Sequence, residues 1–226
     1  MRITKNLHDL QLRISAACNE AGRSENDVSI LAVSKRHSAA AISEAVAAGL
    51  QSMGENYLQE ALEKIAIFGR EIEWHFIGHV QSNKTKAIAE NFQWVQTIAT
   101  AHIAERLSRQ RPVSLGDLNI CIQIDPEKSG LHAGVAPDEA EALCEIIAGL
   151  PNLRLRGLMT IPLPTASREQ QRLPFRQLRE LRDHLVARGF ALDTLSMGMT
   201  DDLEAAIIEG STMIRIGTAL FGSRPQ

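Results

Sequence analysis

The chain has 226 residues, of which 44% are hydrophobic, 23% charged and 4% aromatic, and its formal net charge is −3 at pH 7. This balance argues against a nucleic-acid partner or an anionic membrane surface, and no apolar stretch predicts a signal peptide or a membrane span. The three cysteines are scattered without a metal-type spacing, as is usual in reduced compartments. We therefore expect a cytoplasmic protein with one well-buried core.

The beginning of the chain predicts a helix and then a buried strand. Residues 6–21 carry apolar side chains at helical spacing, and Gly22 is suited to end the helix. Because this helix precedes the first strand, we expect it to form an additional layer outside the fold. The run 30–33, ILAV, is apolar and partly β-branched, which is typical of a strand buried on both faces. Lys35 follows this strand, and Ser38 can cap the next helix.

The same strand-and-helix unit recurs along the rest of the chain. Further strands are predicted at 52–56, 74–78, 94–97, 118–125, 153–160, 195–196 and 213–216. The helices between them are predicted at 57–68, 82–91, 100–109, 137–148, 174–188 and 201–209. Eight strands alternating with helices favour an α/β protein with a single (β/α)8 TIM barrel spanning residues 1–226. An open doubly wound sheet is the alternative, but it would more often carry a glycine-rich dinucleotide fingerprint, and none is present.

Lys35 is the first candidate site residue. In an α/β barrel the carboxyl ends of the strands form the rim where active sites lie, and Lys35 follows the first strand. Partial burial would favour its neutral, nucleophilic amine and permit Schiff-base chemistry. A strand-end lysine in isolation more often extends into solvent, so the other residues of this rim have to decide between the two interpretations.

Polar residues after the seventh and eighth strands predict a phosphate site. In the stretch 196–202, SMGMTDD, a glycine permits a tight turn, Thr200 offers a hydroxyl, and Asp201 with Glu204 matches a capping box at a helix start. The eighth strand adds a guanidinium, a glycine and a second hydroxyl, from Arg215, Gly217 and Thr218. Barrels frequently bind phosphate after strands seven and eight, although an ordinary capped helix beside a strand-end arginine is the alternative.

A lysine opposite a phosphate site suggests a phosphorylated aldehyde, and pyridoxal phosphate is the leading candidate. The chain also resembles the YggS-type pyridoxal phosphate homeostasis proteins over nearly its whole length. The matching segments are LAVSK (31–35), GENYLQE (54–60), WHFIGHVQSNK (74–84), KSG (128–130), RGLMTIP (156–162), LSMGMTDD (195–202) and MIRIGTALFG (213–222). It departs from the family where Arg36-His37-Ser38 replaces the common Thr-x-Pro, and where Thr200 replaces the usual serine.

The resemblance implies a barrel of the alanine racemase N-terminal type that binds pyridoxal 5′-phosphate (PLP) as an aldimine with Lys35. Arg215 would face the pyridine nitrogen and keep it unprotonated, which makes the ring a poorer electron sink. The residues expected to hold the phosphate, or to lie near it, are Thr200, Gly217, Thr218 and Ser196. Asn56 and His79 lie in matching segments without an assigned contact. Lys128 is either a second amine for the cofactor or a solvated loop lysine.

The role implied by the resemblance is storage or delivery of PLP, with PLP-dependent apo-enzymes as recipients, by a monomer without substantial turnover. An amino-acid racemase is the main alternative, but two-base racemisation needs a second acid–base group. In alanine racemases the family assigns this role to a tyrosine of a C-terminal domain, whereas this chain has Tyr57 as its sole tyrosine and ends at Gln226.

Two further interpretations compete with a cofactor carrier. A class I aldolase would use Lys35 without a cofactor and would give a colourless protein. A metal site would need more ligands than His75 and His79, and no carboxylate or cysteine cluster supplies them in the sequence. We expect His75, inside a strand, to be packed or hydrogen-bonded, and we expect no metal.

Overall fold

A closed barrel of eight parallel strands forms the centre of the structure, a computed structural model that describes residues 2–126 and 134–222. Each strand pairs with the next along the chain, and the last pairs with the first. The strands are β1 (Ser29–Val33), β2 (Ser52–Glu55), β3 (Glu73–Phe76), β4 (Trp94–Ile98), β5 (Leu118–Gln123), β6 (Leu153–Met159), β7 (Thr194–Ser196) and β8 (Met213–Ile216). The predicted (β/α)8 barrel is therefore confirmed, and the open doubly wound sheet was the wrong alternative.

Helices surround the barrel and alternate with its strands. The described residues form α1 (Arg2–Ala21), α2 (Ala39–Ala47), α3 (Leu58–Phe68), α4 (Thr85–Asn91), α5 (Ala101–Gln110), α6 (Ala140–Ala148), α7 (Arg168–Ala187), α8 (Leu203–Ile208) and α9 (Thr218–Phe221). Helix α1 is the additional N-terminal helix expected from the sequence, and it packs against α8 and α9. It begins at Arg2, before the predicted start at residue 6.

Helix α7 also begins earlier than the sequence pattern predicts. The sequence places Pro174 at the first helical position, whereas the helix begins at Arg168 and contains the proline in its interior. Two ion pairs hold the residues before the proline, since Arg168 binds Glu20 of α1 (2.6 Å) and Arg172 binds Glu209 after α8 (2.7 Å). These tertiary contacts offset the helical hydrogen bond that a proline removes.

The inside of the barrel differs in character from the layer between the barrel and the helices. That outer layer is apolar, with large buried side chains such as Phe92, Leu107 and Phe175. Barrels of this type usually contain layers of branched apolar side chains in their interior as well. Here several buried polar side chains lie on the strands instead, and they include His75, Gln96, Ser196 and Arg215. The polar interior extends to the carboxyl ends of the strands through Arg215.

Candidate functional site

A cavity of about 210 Å³ opens where the carboxyl ends of the strands meet. It is lined by Lys35, Asn56, Thr200, Asp201, Arg215, Gly217 and Thr218, and by the apolar side chains of Val33, Ile77, Met159, Ile161 and Met199. Six residues predicted from the sequence thus come together around one cavity. Ser196 does not line it and lies behind Arg215, to which it is hydrogen-bonded. Lys128 lies outside the described residues.

Lys35 extends from a turn whose flanking residues are held by carboxylates. Ser34 is completely buried, and its hydroxyl donates to Glu55 Oε1 (2.6 Å). Arg36 has a positive φ of 63°, and its backbone N–H donates to Glu60 Oε1 (2.5 Å). The half-buried Lys35 is therefore carried by a fixed turn at the end of β1.

The two carboxylates are joined by a buried lysine of α3. Lys64 Nζ donates to Glu55 Oε1 (2.7 Å), to Glu60 Oε1 (2.6 Å) and to Ser34 O (2.8 Å). Burial raises the pKa of the completely buried Glu55 carboxyl, while hydrogen bonds from Lys64 and Ser34 oppose the rise. Sequence reasoning missed this network, although the spacing of Glu60 and Lys64 on one helix is a signal for their pairing.

Arg215 approaches the opposite side of the cavity from inside the barrel. Its side chain is buried, and its guanidinium donates to Ser196 O (2.6 Å), Ser196 Oγ (2.9 Å) and Thr160 O (2.7 Å). Burial lowers the pKa of Arg215 to about 10, with the charge of Asp202 acting in the opposite direction. The guanidinium therefore stays positively charged at neutral pH and is held by neutral oxygen atoms.

The turn after β7 brings Thr200 to the cavity. Gly198 adopts a φ of +97°, and a Cβ at this position would lie 2.6 Å from the Cβ of Ala206, so the turn requires glycine. Thr200 Oγ1 accepts a hydrogen bond from Ala219 N (3.3 Å), which joins this turn to the one after β8. The two turns predicted to hold a phosphate are therefore adjacent.

The capping box predicted from Asp201 and Glu204 is wrong. Asp202 occupies the N-cap position of α8, and its Oδ1 accepts a hydrogen bond from the backbone N–H three residues earlier (2.5 Å). Glu204 instead binds Arg13 of α1, at 2.6 and 3.0 Å, and the same guanidinium donates to Thr200 O (2.8 Å). A tertiary partner thus replaces the local cap and at the same time supports the turn that carries Thr200.

Asn56 lies between the candidate cavity and a second depression at the same rim. Its Oδ1 is buried without a hydrogen-bond partner among the described residues, so it can accept a hydrogen bond from a ligand. The close approach of the neighbouring turn depends on Gly78, because a Cβ there would overlap the Asn56 carbonyl. His79 and Tyr57 line the second depression and not the candidate cavity.

His75, considered from the sequence as a metal ligand, does not line the candidate cavity. His75 is completely buried in the barrel and is hydrogen-bonded to Glu73 (2.8 Å) and Gln96 (2.8 Å), as the packed interpretation predicts. Within residues 2–126 and 134–222, no group of three or more His, Cys, Asp or Glu side chains could hold a metal ion. In the same ranges, no helix has both the length and the apolar character needed to cross a bilayer.

Known proteins resemble this chain along nearly its whole length. The family described as "Alanine racemase, N-terminal domain" matches residues 6–225. A pyridoxal phosphate homeostasis protein of Pseudomonas aeruginosa is 54% identical over 223 residues, which cover 98% of this chain and 96% of the relative. The chain belongs to the family of pyridoxal phosphate homeostasis proteins. A further member from Escherichia coli is 46% identical over 226 residues, with 98% and 97% of the two chains covered.

Solved structures share the barrel fold of this chain. PipY of Synechococcus elongatus, in a structure with PLP bound, has a TM-score of 0.85 at 34% identity and covers 97% of this chain and 100% of its own. The alanine racemase of Corynebacterium glutamicum has a TM-score of 0.70 at 20% identity, over 100% of this chain and 61% of its own. The second comparison shows a shared barrel fold and no more.

Proposed function

We propose that this protein binds PLP in the cavity between Lys35 and Arg215 and maintains the supply of this cofactor. The observation that carries the proposal is the placement of a lysine, a buried guanidinium and two hydroxyl-bearing turns around one cavity. PLP supplies an aldehyde that condenses with amines and a ring that draws electrons from them. The names of the relatives from P. aeruginosa and E. coli, and the PLP-bound structure of PipY, support the choice of cofactor.

The residues of the cavity fit this cofactor. Lys35 would hold the aldehyde carbon covalently, and the unpaired Asn56 Oδ1 offers an acceptor to a polar ligand. Arg215 would face the ring nitrogen, with Ser196 behind the guanidinium. The phosphate would be held by the two adjacent turns, through Thr200, Gly217 and Thr218.

Arg215 also supports the proposal that the protein has no substantial catalytic turnover. A guanidinium donates hydrogen bonds and cannot accept them, so it opposes protonation of a ring nitrogen that faces it. Without that proton, the ring draws electrons less strongly from a bound amine. Tyr57 is 47% exposed and does not line the candidate cavity, so it is poorly placed to act as a second acid–base group.

The proposal extends to the chain as a whole. We infer a single domain over residues 1–226 that acts as a cytoplasmic monomer and passes PLP to PLP-dependent apo-enzymes. The net charge of −3 supports the absence of nucleic-acid and membrane partners. The role of Lys128 as a second amine stays a prediction.

The first test loads purified protein with PLP, records its visible spectrum, reduces it with borohydride and maps the modified peptide by mass. We expect one pyridoxyl group on Lys35. Lys35→Ala should abolish the coloured species, whereas the matched variant Lys86→Ala, at a lysine whose side chain is 72% exposed, should keep it. A protein that takes up no PLP would contradict the proposal and favour the cofactor-free aldolase. A group on another lysine would contradict the assignment to Lys35.

The second test measures turnover. The PLP-loaded protein should racemise L-alanine negligibly, because the residues that line its cavity include no tyrosine. An alanine racemase assayed in parallel serves as the positive control. A rate in the ordinary enzyme range, about 1 to 1000 per second, would identify the protein as a racemase and refute the non-catalytic role.

A further inference from the structure

A continuous chain of hydrogen bonds runs through the inside of the barrel. It starts at Glu73, at the amino end of β3, and continues through His75, Gln96 and Ser196 to Arg215. The successive distances are 2.8 Å (Glu73 Oε1 to His75 Nε2), 2.8 Å (His75 Nδ1 to Gln96 Nε2), 2.6 Å (Gln96 Oε1 to Ser196 Oγ) and 2.9 Å (Ser196 Oγ to Arg215 Nη1). This interior chain joins the partly exposed Glu73, at the face opposite the cavity, to the guanidinium at the cavity.

The donors and acceptors along the interior chain determine the direction of each hydrogen bond. Arginine can only donate, so Ser196 Oγ accepts from Arg215. An amide oxygen can only accept, so the Ser196 hydroxyl donates to Gln96 Oε1. Gln96 then presents its amide nitrogen to His75 Nδ1, which has to accept. At the other end, Nε2 of a neutral imidazole donates to the Glu73 carboxylate. The Gln96 amide nitrogen and the Glu73 carboxylate therefore require the same histidine tautomer, with the proton on Nε2.

The surroundings of the interior chain support this direction. The second amide proton of Gln96 has the sulfur of Met213 as a weak acceptor at 3.1 Å, which a reversed amide would lose. Trp94 stacks on the His75 ring, with centroids 5.1 Å apart and planes inclined by 8°, and so holds its orientation. Burial lowers the pKa of His75, against the opposing influence of Glu73, which favours the neutral ring. The hydrogen bond with His75 lowers the pKa of Glu73, so the terminal acceptor is a carboxylate.

Other titratable side chains lie near the interior chain. The charge of Asp202 acts on Arg215 and opposes the fall in its pKa. Arg156 lies 4.8 Å from the centroid of the Trp94 ring and is paired with Asp193 (2.8 Å). Burial raises the pKa of Cys121, on β5, to about 12, so this thiol is neutral. The interior chain thus connects an anion at one end with a cation at the other through groups that are neutral.

We propose that Glu73, His75 and Gln96 are positioning residues for Arg215. Gln96 Oε1 accepts a hydrogen bond from the Ser196 hydroxyl, which leaves the lone pairs of Ser196 Oγ facing the guanidinium. His75 and Glu73 determine which end of the Gln96 amide faces Ser196. Arg215 is therefore oriented from within the barrel by groups that reach solvent at the opposite face. The consequence for PLP rests on the proposed function, in which Arg215 faces the cofactor ring.

The direction of the interior chain is tested by nitrogen-15 NMR of the histidine rings in protein without added PLP. The His75 signals are identified by their loss in His75→Gln. We expect a neutral ring protonated on Nε2 between about pH 6 and 8, where ordinary histidines titrate. A ring protonated on Nδ1, or one that titrates near the ordinary value of about 6.5, would overturn the proposal.

The role of Glu73 is tested by Glu73→Gln, which removes the anionic acceptor but keeps the size of the side chain. Because a neutral amide can pair with either tautomer, the share of His75 protonated on Nε2 should fall. Glu71→Gln is the matched control, since it makes the same charge change at an exposed residue two positions away and should leave the His75 signals unchanged. Equal spectra for the two variants would overturn the proposal.

The link to Arg215 is tested by Gln96→Leu and Ser196→Ala, with the guanidinium N–H signals of Arg215 as the readout. Both variants should speed the exchange of these protons with water, by about tenfold if one hydrogen bond to a charged group is lost. Only Gln96→Leu should also disturb the tautomer of His75, because Ser196→Ala leaves the bond from Gln96 to His75 in place. Unchanged exchange in a folded Gln96→Leu protein would overturn the positioning role. None of these signals needs PLP, so a failure to bind PLP would refute the proposed function and leave this inference standing.

Discussion

The two sides of the candidate cavity hold positive charge in different ways. On the side of β1 and β2, the buried ammonium of Lys64 lies 2.6 Å from a carboxylate oxygen of Glu60 and 2.7 Å from one of Glu55. On the side of β7 and β8, the guanidinium of Arg215 donates to two backbone carbonyls and one hydroxyl, all of them neutral. The Lys64 ammonium is bound directly by carboxylates, whereas the hydrogen bonds of the Arg215 guanidinium go to neutral oxygen atoms.

This difference separates a charge that supports structure from a charge that, in the proposed function, serves binding. Lys64, neutralised by two carboxylates, adds little potential to the cavity, and its hydrogen bonds fix the turn that carries Lys35. The guanidinium of Arg215, on a buried side chain, keeps its charge at the cavity, where it would attract an anionic or electron-rich ligand. We therefore expect changes at Lys64 to lower stability more than binding, and changes at Arg215 to lower ligand binding more than stability.

The largest effect on stability is expected for Lys64→Met. The substitution leaves the buried Glu55 carboxylate without its cation, and breaking a buried ion pair from one side typically costs about 3–5 kcal/mol. Urea unfolding at neutral pH measures this loss. The control Lys86→Met, at a lysine whose side chain is 72% exposed, should change the free energy of unfolding by less than about 0.5 kcal/mol. Adding Glu55→Gln to Lys64→Met should restore part of the stability, because no buried charge then remains.

The same variant should be sensitive to pH. A carboxyl whose pKa is raised in the folded protein, as that of Glu55 is by burial, contributes stability below its unfolded pKa of about 4.3 and loses it as pH rises through the folded value. Lys64→Met removes a hydrogen bond that opposes the rise, so the folded pKa of Glu55 increases further. The stability lost in Lys64→Met should therefore grow from about pH 4 towards neutrality. A loss that is equal at both pH values would show that Glu55 is not its cause.

The sequence predicted the elements whose signals are local. The apolar run 30–33 followed by Lys35 identified a strand end at the rim, and the alternation of strands and helices identified the barrel. The start of α7 was predicted wrongly, because Pro174 is a good first residue of a helix and the contacts that extend the helix to Arg168 come from distant segments. The start of this helix is determined by tertiary ion pairs, which the local sequence pattern does not reveal.

In the candidate site, too, residues with a local sequence signal were predicted and those that depend on tertiary contacts were not. Lys35, Thr200 and Arg215 were predicted because each follows or ends a strand, and the carboxyl ends of parallel strands meet at one rim. The supporting roles of Glu55 and Gln96 were not predicted, because their partners lie on other strands or helices and only closure of the barrel brings them together. Sequence pattern therefore indicates which residues face a site, while the groups that orient them require the structure.

A smaller effect on stability and a larger one on binding are expected for Arg215→Met. The substitution removes three hydrogen bonds but also removes the cost of burying a guanidinium without a carboxylate partner, so the free energy of unfolding should change by about 1 kcal/mol. PLP retention, measured by titration of the visible absorbance, should weaken about tenfold or more, since a charge-assisted contact is lost. Arg215→Lys is the matched control, because a compact ammonium keeps the charge but not the planar fork that reaches Ser196 and Thr160 together. If the charge of residue 215 governs binding, Arg215→Lys should bind PLP more tightly than Arg215→Met. If the orientation of the guanidinium governs binding, the two variants should bind PLP equally weakly. The second outcome is the one expected if Gln96 positions Arg215. A loss of stability as large as that of Lys64→Met, with PLP retention unchanged, would place Arg215 with the structural charges and remove the distinction between the two sides of the cavity.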